Sequence, residues 1–237
     1  MKCKFGTWVW PTWPGLAVPG IWVAYVGYLL VRGHLRSWQA TLVALWPALL
    51  LYAGSCILAA WGRRGSRPRL ASMLAVGLLL AAADLAAKAW IEAQFPYHQP
   101  RTLLPGLLAI DPVHNVYGTM LAIPGARPYL TVLAIVLGPA AVLGYRHYLK
   151  DEEPVVWGHA AFVGLFAGAL AKAGDLLQRG LIVDYLHIPG LPVADLADVY
   201  LLWIGGGCAL AATLCYPEAW PRPWCALREW LGRVRRR

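Results

Sequence analysis

The sequence predicts an all-α polytopic membrane protein, and its composition and the spacing of its apolar runs are the two reasons. Hydrophobic residues make up 59% of the 237 residues and charged residues only 14%, which is unlike an ordinary soluble domain. Apolar runs of about 20 residues recur, the length at which a helix crosses a hydrocarbon core roughly 30 Å thick. Six runs are predicted to be membrane-spanning helices: about 14–31, 40–61, 70–91, 129–146, 155–174 and 199–216.

Positively charged residues predict how these spans are oriented. With both termini and the loops GRRGSRPR (62–69) and YRHYLKDEEP (145–154) on the cytoplasmic side, most of the 21 Lys and Arg residues are cytoplasmic, as the positive-inside rule requires. The net charge of +9 is therefore attributed to topology and to contact with membrane lipids, not to nucleic acid. The basic, Trp-containing tail 218–237 fits either an interfacial helix on the inner leaflet or an unstructured tail.

The segment 92–128, between spans three and four, is too polar to cross the membrane and lies outside in this topology. Its Pro- and Gly-containing stretches FPYHQP, LPGLLAI and IPGARP argue against a long helix. Its short apolar runs predict a small sheet or cradle on the membrane surface.

Two pairs of charged residues, one within a predicted span and one at the end of another, stand at helical spacing. Asp84 and Lys88 are four apart and share one helix face, either as a structural ion pair or as support for a polar site. Asp175 and Arg179 have the same spacing at the end of span five and are predicted to form a buried pair. Lys172, one turn earlier, is expected to belong to an ordinary solvated helix end.

Three carboxylates gather where the last span begins, at Asp184, Asp195 and Asp198. Two carboxylates held together cannot both ionise cheaply, so one keeps a proton while the other acts as a base toward water. That is aspartic peptidase chemistry, which needs no cofactor. Capping of the last span explains Asp195 or Asp198 but not Asp184. The histidines and cysteines have no metal-ligand spacing, so no metal site is expected.

Several of these residues resemble the lipoprotein signal peptidases, the signal peptidase II family. Ile182-Val183-Asp184-Tyr185 matches the family's Val-Val-Asp-Phe block, and Asp195-Leu196-Ala197-Asp198 matches the Asn-x-Ala-Asp block that opens its last span. The family's Gly-Asn-x-x-Asp-Arg segment is read here at 174–179 as GDLLQR. Asp84 and Lys88 match an Asp-x-x-x-Lys element in the family's first span. Asn115 stands at a polar, substrate-contacting position of its outer loop.

The resemblance implies a four-span core at 66–237 and makes residues 1–65 a two-span N-terminal extension. It implies that Asp184 and Asp198 are the catalytic aspartates, although Asp195 offers a competing register for the second one. Supporting or substrate-binding roles are implied for Asp84, Lys88, Asn115, Asp175, Arg179 and Asp195. The chain departs from the family at Asp195, which replaces Asn, and at Asp175 and Gln178, where amide and acid have traded places.

The function implied is removal of signal peptides from diacylglyceryl-modified prolipoproteins in the bacterial inner (plasma) membrane, by a multi-pass protein with both termini cytoplasmic. Two alternatives stay open. One is another kind of intramembrane aspartyl protease, read from Ala173-Gly174-Asp175, although the full Gly-x-Gly-Asp element is missing. The other is a catalytically drifted paralogue that binds lipidated peptides or partner spans without cleaving them.

Overall fold

A computed structural model describes residues 13–62, 68–116, 125, 127–150 and 155–215. Five helices in this part of the chain are long and apolar enough to cross a membrane, and a sixth, shorter one follows a 3-10 turn at Trp13–Leu16. The fold-class prediction is thereby confirmed, whereas the tail 218–237 lies outside the described residues. The helices are α1 (Ala17–Val31), α2 (Trp38–Gly62), α3 (Leu70–Gln94), α4 (Arg127–Tyr148), α5 (Val156–Gln178) and α6 (Leu196–Cys215).

The predicted cradle is a three-stranded antiparallel sheet in the order β1-β2-β3. Strands β1 (Arg101–Leu104) and β2 (Leu108–Asn115) come from the segment between α3 and α4, as the sequence indicates. The third strand, β3 (Ile182–His187), comes from the connection between α5 and α6 and was not predicted. The register pairs Val113 with Asp184, so β3 carries an aspartate onto the sheet beside β2.

Helix α5 packs against α6 at backbone contact distance, and glycines allow this approach. A Cβ added at Gly164 would lie 2.5 Å from Gly205 N and 2.6 Å from Tyr200 O. A Cβ at Gly168 would lie 2.9 Å from Ala197 O. Small residues at helix contacts are the usual way for membrane helices to approach closely. The polar end of α5 is therefore held directly against the start of α6.

Helix α6 begins at an N-cap and changes its winding within its first turns. The Asp195 side chain accepts a hydrogen bond from Asp198 N at 2.8 Å, and Asp198 Oδ2 accepts one from Asp195 N at 3.4 Å, which makes a capping box. Of the two aspartates that the sequence offered as caps, Asp195 is the N-cap. The next segment, Val199–Gly206, is π-helical before the α-helix resumes at Gly207–Cys215. Wider π turns within α-helices occur frequently at functional sites.

Helices α1 and α2 pack onto the rest of the bundle through two apolar clusters. Val18 and Ala59 lie with Trp157 and Cys208, contributed by α5 and α6. Trp22 of α1 packs on Trp203 of α6, with ring centroids 4.7 Å apart. These contacts fix the N-terminal helices along both halves of α6.

Candidate active site

The Asp84–Lys88 pair on α3 is present and is fully buried, with Lys88 Nζ 2.7 Å from Asp84 Oδ2. Lys88 has two further carboxylate partners, because Asp175 Oδ2 and Asp195 Oδ2 each lie 2.5 Å from its Nζ. Tyr185 of β3 donates a hydrogen bond to Asp84 Oδ1 at 3.2 Å. Lys88 thus connects α3, the end of α5 and the start of α6, and a buried ammonium needs such partners.

The predicted pair at the end of α5 is also present. Arg179 Nη1 lies 2.7 Å from Asp175 Oδ1, and Asp175 is completely buried. Arg179 extends the network to α3, because its Nε lies 3.0 Å from Glu92 Oε2. The hydroxyl of Tyr97 donates to the other oxygen of Glu92 at 2.6 Å. Asp175 is therefore held between Lys88 and Arg179, which fixes the last turn of α5.

Lys172 contradicts the expectation of an ordinary solvated helix end. Lys172 is only 8% exposed. Its ammonium nitrogen lies 2.9 Å from Asp198 Oδ1 and 3.0 Å from Asp195 Oδ1. The ammonium also lies 3.8 Å from Asp184 Oδ1. The side chain is largely shielded from solvent because carboxylates of β3 and of the start of α6 pack against it. This is a tertiary effect that the helix sequence alone does not reveal.

Asp184 projects from β3 into the same cluster and is 2% exposed. Asn115 Nδ2 donates a hydrogen bond to Asp184 Oδ2 at 2.8 Å, across the β2–β3 pair. The two residues lie on one face of the sheet because Val113 is the direct partner of Asp184 and Asn115 is two residues further along β2. Among the described residues, Asp184 Oδ1 has no hydrogen-bond partner.

The electrostatic environments of Asp184 and Asp195 differ. Burial raises the pKa of Asp184 to about 7, with Lys172 opposing the rise and the neighbouring Asp195 and Asp198 carboxylates adding to it. Burial also opposes the ionised form of Asp195, but the ammonium groups of Lys172 and Lys88 outweigh it and hold the pKa of Asp195 below its usual range. Its lysine contacts therefore favour the ionised form of Asp195, whereas burial favours the protonated form of Asp184.

Asp195 bridges the two lysine clusters. Three carboxylates surround each ammonium within the described residues, and Asp195 belongs to both sets. One oxygen from each of Asp184, Asp195 and Asp198 lies within 4.8 Å of the others, and Asp84, Asp175 and Asp195 form a second set of this kind. Such triads have the spacing of cation ligands, but each already contacts a lysine ammonium.

The structure brings all eight residues predicted for the site into one contiguous network. They are Asp84, Lys88, Asn115, Asp175, Arg179, Asp184, Asp195 and Asp198. Sequence reasoning missed Lys172, Glu92 and Tyr185. The signal for Lys172 was its position one turn before Asp175, at a spacing that places both on one side of α5. Tyr185 follows Asp184 directly, but its direction becomes clear only once β3 is known to be a strand.

Comparison with known proteins identifies the family. A model of the family described as Signal peptidase (SPase) II matches residues 76–215, more than half of the chain. The chain belongs to the signal peptidase II family. The match includes most of α3, the helices α4 to α6 and all three strands, while α1 and α2 lie before it.

Relatives within this family are similar over the same region. The lipoprotein signal peptidase of Caldicellulosiruptor bescii is 29% identical over 125 residues, covering 53% of this chain and 78% of that relative. That of Latilactobacillus sakei subsp. sakei is 25% identical over 128 residues, covering 53% and 83%. A solved structure described as a bacterial membrane enzyme superposes with a TM-score of 0.55 at 22% identity, covering 62% of this chain and 90% of the other.

These findings make the protein a multi-pass member of a peptidase family, with an N-terminal pair of helices outside the region shared with its relatives.

Proposed function

We propose that the protein is a membrane aspartic endopeptidase that removes signal peptides from lipid-modified prolipoproteins. The observation that carries the proposal is the meeting of two carboxylates from different elements, Asp184 of β3 and Asp198 of α6, with oxygens within 4.8 Å of each other. Carboxylates at that separation can both reach one water molecule, and general acid–base chemistry requires this geometry.

In the proposed reaction, Asp184 and Asp198 share one proton. The ionised member takes a proton from water as the water oxygen attacks the scissile carbonyl carbon, and the protonated member donates its proton to the carbonyl oxygen. Collapse of the tetrahedral intermediate then breaks the C–N bond, and the leaving nitrogen takes up the proton that the water gave. One hydroxyl of the intermediate returns its proton to the carboxylate that first donated one, which restores the singly protonated pair. Asn115 orients Asp184 through its hydrogen bond and leaves Asp184 Oδ1 free of protein hydrogen bonds among the described residues.

Lys172 and Asp195 set the charge around this pair. Lys172 favours ionised carboxylates at both Asp184 and Asp198, and Asp195 adds a negative charge that offsets Lys172. The two residues together carry no net charge, so the dyad can still keep its single proton near neutral pH. Asp84, Lys88, Asp175 and Arg179 hold the ends of α3 and α5 around Asp195.

The proposed substrates are diacylglyceryl-modified prolipoproteins. The relatives' name, lipoprotein signal peptidase, supports lipoprotein precursors as the class, and the resemblance of the site residues to that family implies the lipid modification. The inner (plasma) membrane of a bacterium would hold the protein, with both termini cytoplasmic because that orientation leaves most basic residues inside. The sheet and the aspartate dyad then lie at the outer surface, where the signal peptide of a lipid-anchored precursor ends. The division into an extension at 1–65 and a core at 66–237 belongs to the same proposal.

The position of Lys172 favours a second candidate, a binder of lipidated peptides that has lost turnover. Its ammonium contacts Asp198 at 2.9 Å and lies 3.8 Å from Asp184, between the carboxylates that would position water. A cation that stayed there throughout would keep both carboxylates ionised and leave no acid to protonate the carbonyl oxygen.

Cleavage of a lipidated precursor by purified protein in lipid nanodiscs separates the two candidates. We expect the wild type to release the signal peptide from the diacylglyceryl-modified form, and Asp184→Asn to abolish release because an amide neither accepts nor donates the required proton. Asp111→Asn is the matched control. Asp111 is on β2, and its Oδ2 lies 3.7 Å from His187 Nδ1, outside the lysine–carboxylate network. Binding without release by the wild type would reject the peptidase and favour the binder.

A further inference from the structure

A cavity of about 220 Å³ lies between the N-terminal helices and the cradle. One wall comes from α1 and α2, including Tyr25, Trp46 and Leu51. The other wall comes from β3 and α6, including Leu186, Val199 and Trp203. The lining consists of apolar and aromatic side chains, and six of its fourteen residues belong to helices that precede the region shared with the signal peptidase II family.

The cavity borders the chain segments that carry the proposed catalytic centre. Ala194 and Val199, which line it, are the direct neighbours of Asp195 and Asp198 in the chain. Leu186 lies two residues after Asp184 on β3. An occupant of the cavity would therefore lie alongside the residues that carry the dyad.

The walls of the cavity are held in place by specific contacts. Trp22 Nε1 donates to Ala44 O at 2.8 Å, and this bond fixes α1 against α2. Trp46 Nε1 donates to Leu107 O at 3.3 Å, which connects α2 to the turn between β1 and β2. Leu50, another lining residue, is 63% exposed on the outer face of α2, so the cavity opens toward the surrounding lipid. The space is thus pre-formed and is reached from the bilayer.

We propose that this cavity binds one acyl chain of the lipid-modified substrate and that α1 and α2 serve to build it. The inference rests on the proposed function for the identity of the substrate. An acyl chain fits because it has no hydrogen-bonding groups to satisfy, whereas a peptide segment would bring backbone N–H and C=O groups into an apolar space. The lining residue Val199 directly follows Asp198 in the chain. This position favours a chain of the substrate over a chain of a bulk phospholipid, because the substrate's lipid is attached next to the bond to be cut.

The first test fills the cavity and measures how affinity depends on chain length. Leu51→Trp places a larger side chain in the cavity wall, and Leu49→Trp is the control on the same helix, at a position that is 71% exposed. Precursors carrying short or long acyl chains on the modified cysteine are compared through KM and kcat. We expect wild type and Leu49→Trp to favour long chains by at least about tenfold in KM, since each buried methylene adds to binding. Leu51→Trp should lose that preference with little change in kcat. Equal chain-length dependence in all three proteins would overturn the proposal.

A second test needs no turnover and so separates this proposal from the peptidase assignment. The Asp184→Asn protein is exposed to a lipopeptide whose acyl chain carries a diazirine, and the labelled residues are mapped by mass spectrometry after irradiation. Labels on α1, α2 and the first half of α6 that disappear with Leu51→Trp, but not with Leu49→Trp, support the cavity even if cleavage is never seen. A phosphatidylethanolamine diazirine probe that labels the same residues and is not displaced by the lipopeptide would overturn the proposal in favour of a structural lipid.

Discussion

Lys172 and Asp195 shift the pKa of Asp184 in opposite directions. This gives a prediction about the pH dependence of cleavage. Burial raises the pKa of Asp184 most, Lys172 lowers it, and Asp195 and Asp198 raise it. The shared proton of the dyad is lost as the pH rises through the apparent pKa, so the alkaline limb of kcat/KM should lie near pH 7 in the wild type. Removing the lysine should move that limb to higher pH, and removing the Asp195 charge should move it to lower pH.

The variants Lys172→Met and Asp195→Asn test this directly through the pH dependence of kcat/KM on a lipidated precursor. The double variant is the control. The alkaline limb of its kcat/KM profile should return toward the wild-type pH, because the positive and the negative charge are removed together. Limbs that shift in the same direction in both single variants would mean that neither residue acts on the dyad through its charge.

At the residue scale, the sequence revealed side chains that meet along one helix. Asp84 with Lys88 and Asp175 with Arg179 were predicted because four-residue spacing places them on one face. Lys172 was not predicted to join the site, because its partners Asp184 and Asp198 come from elements that follow α5. Their approach depends on tertiary packing, which a pattern along the helix does not contain.

At the scale of elements, the α5–α6 contact sets the position of Asp198 against Lys172. Gly164→Ala should push the two helices apart, because the new Cβ would lie 2.5 Å from Gly205 N. A backbone nitrogen cannot move aside as the end of a flexible side chain can. Overpacking of this kind costs about 1–3 kcal/mol. We expect a lower thermal unfolding midpoint in detergent and a lower kcat.

The control for that variant is Gly144→Ala on α4, where a Cβ meets nothing within 4 Å. It should leave the midpoint unchanged or raise it slightly, since alanine favours helix over glycine. A Gly164→Ala protein that is as stable and active as this control would show that the close helix contact does not position the site.

The elements themselves were predictable to different degrees. The helices followed from apolar length alone, and the two strands between α3 and α4 followed from Pro and Gly boundaries around short apolar runs. Strand β3 was missed, although Leu181-Ile182-Val183 is a short apolar run with β-branched residues. Its strand conformation depends on pairing with β2, so the evidence for it lies about 70 residues away in the chain.

At the scale of the whole molecule, the N-terminal helices should be separable from the core. Removal of residues 1–65 exposes apolar surface such as that of Trp203, but lipid covers such surface in a bilayer at little cost. We expect the truncated protein to be monodisperse in nanodiscs and to cleave with an unchanged pH profile. Its KM for long-chain precursors should rise, because one wall of the cavity is lost.

Size-exclusion chromatography and cleavage kinetics on the same preparation check this prediction. Aggregation of the truncated protein would show that α1 and α2 are part of one cooperative fold rather than an addition to the core. A folded core without any turnover would assign the extension a role in the catalytic site itself.

Comparison of Asp198→Asn with Asp195→Asn tests most directly the proposal that Asp184 acts with Asp198. Both aspartates lie near Asp184, but they differ in their lysine contacts. Asp195 contacts Lys88 and Lys172, which favour its ionised form, whereas Asp198 contacts Lys172 and not Lys88. Single-turnover cleavage of a diacylglyceryl-modified precursor should be abolished in Asp198→Asn, as in Asp184→Asn, and should persist in Asp195→Asn with a shifted pH profile. Turnover that survives in Asp198→Asn and vanishes in Asp195→Asn would contradict the account and make Asp195 the partner of Asp184.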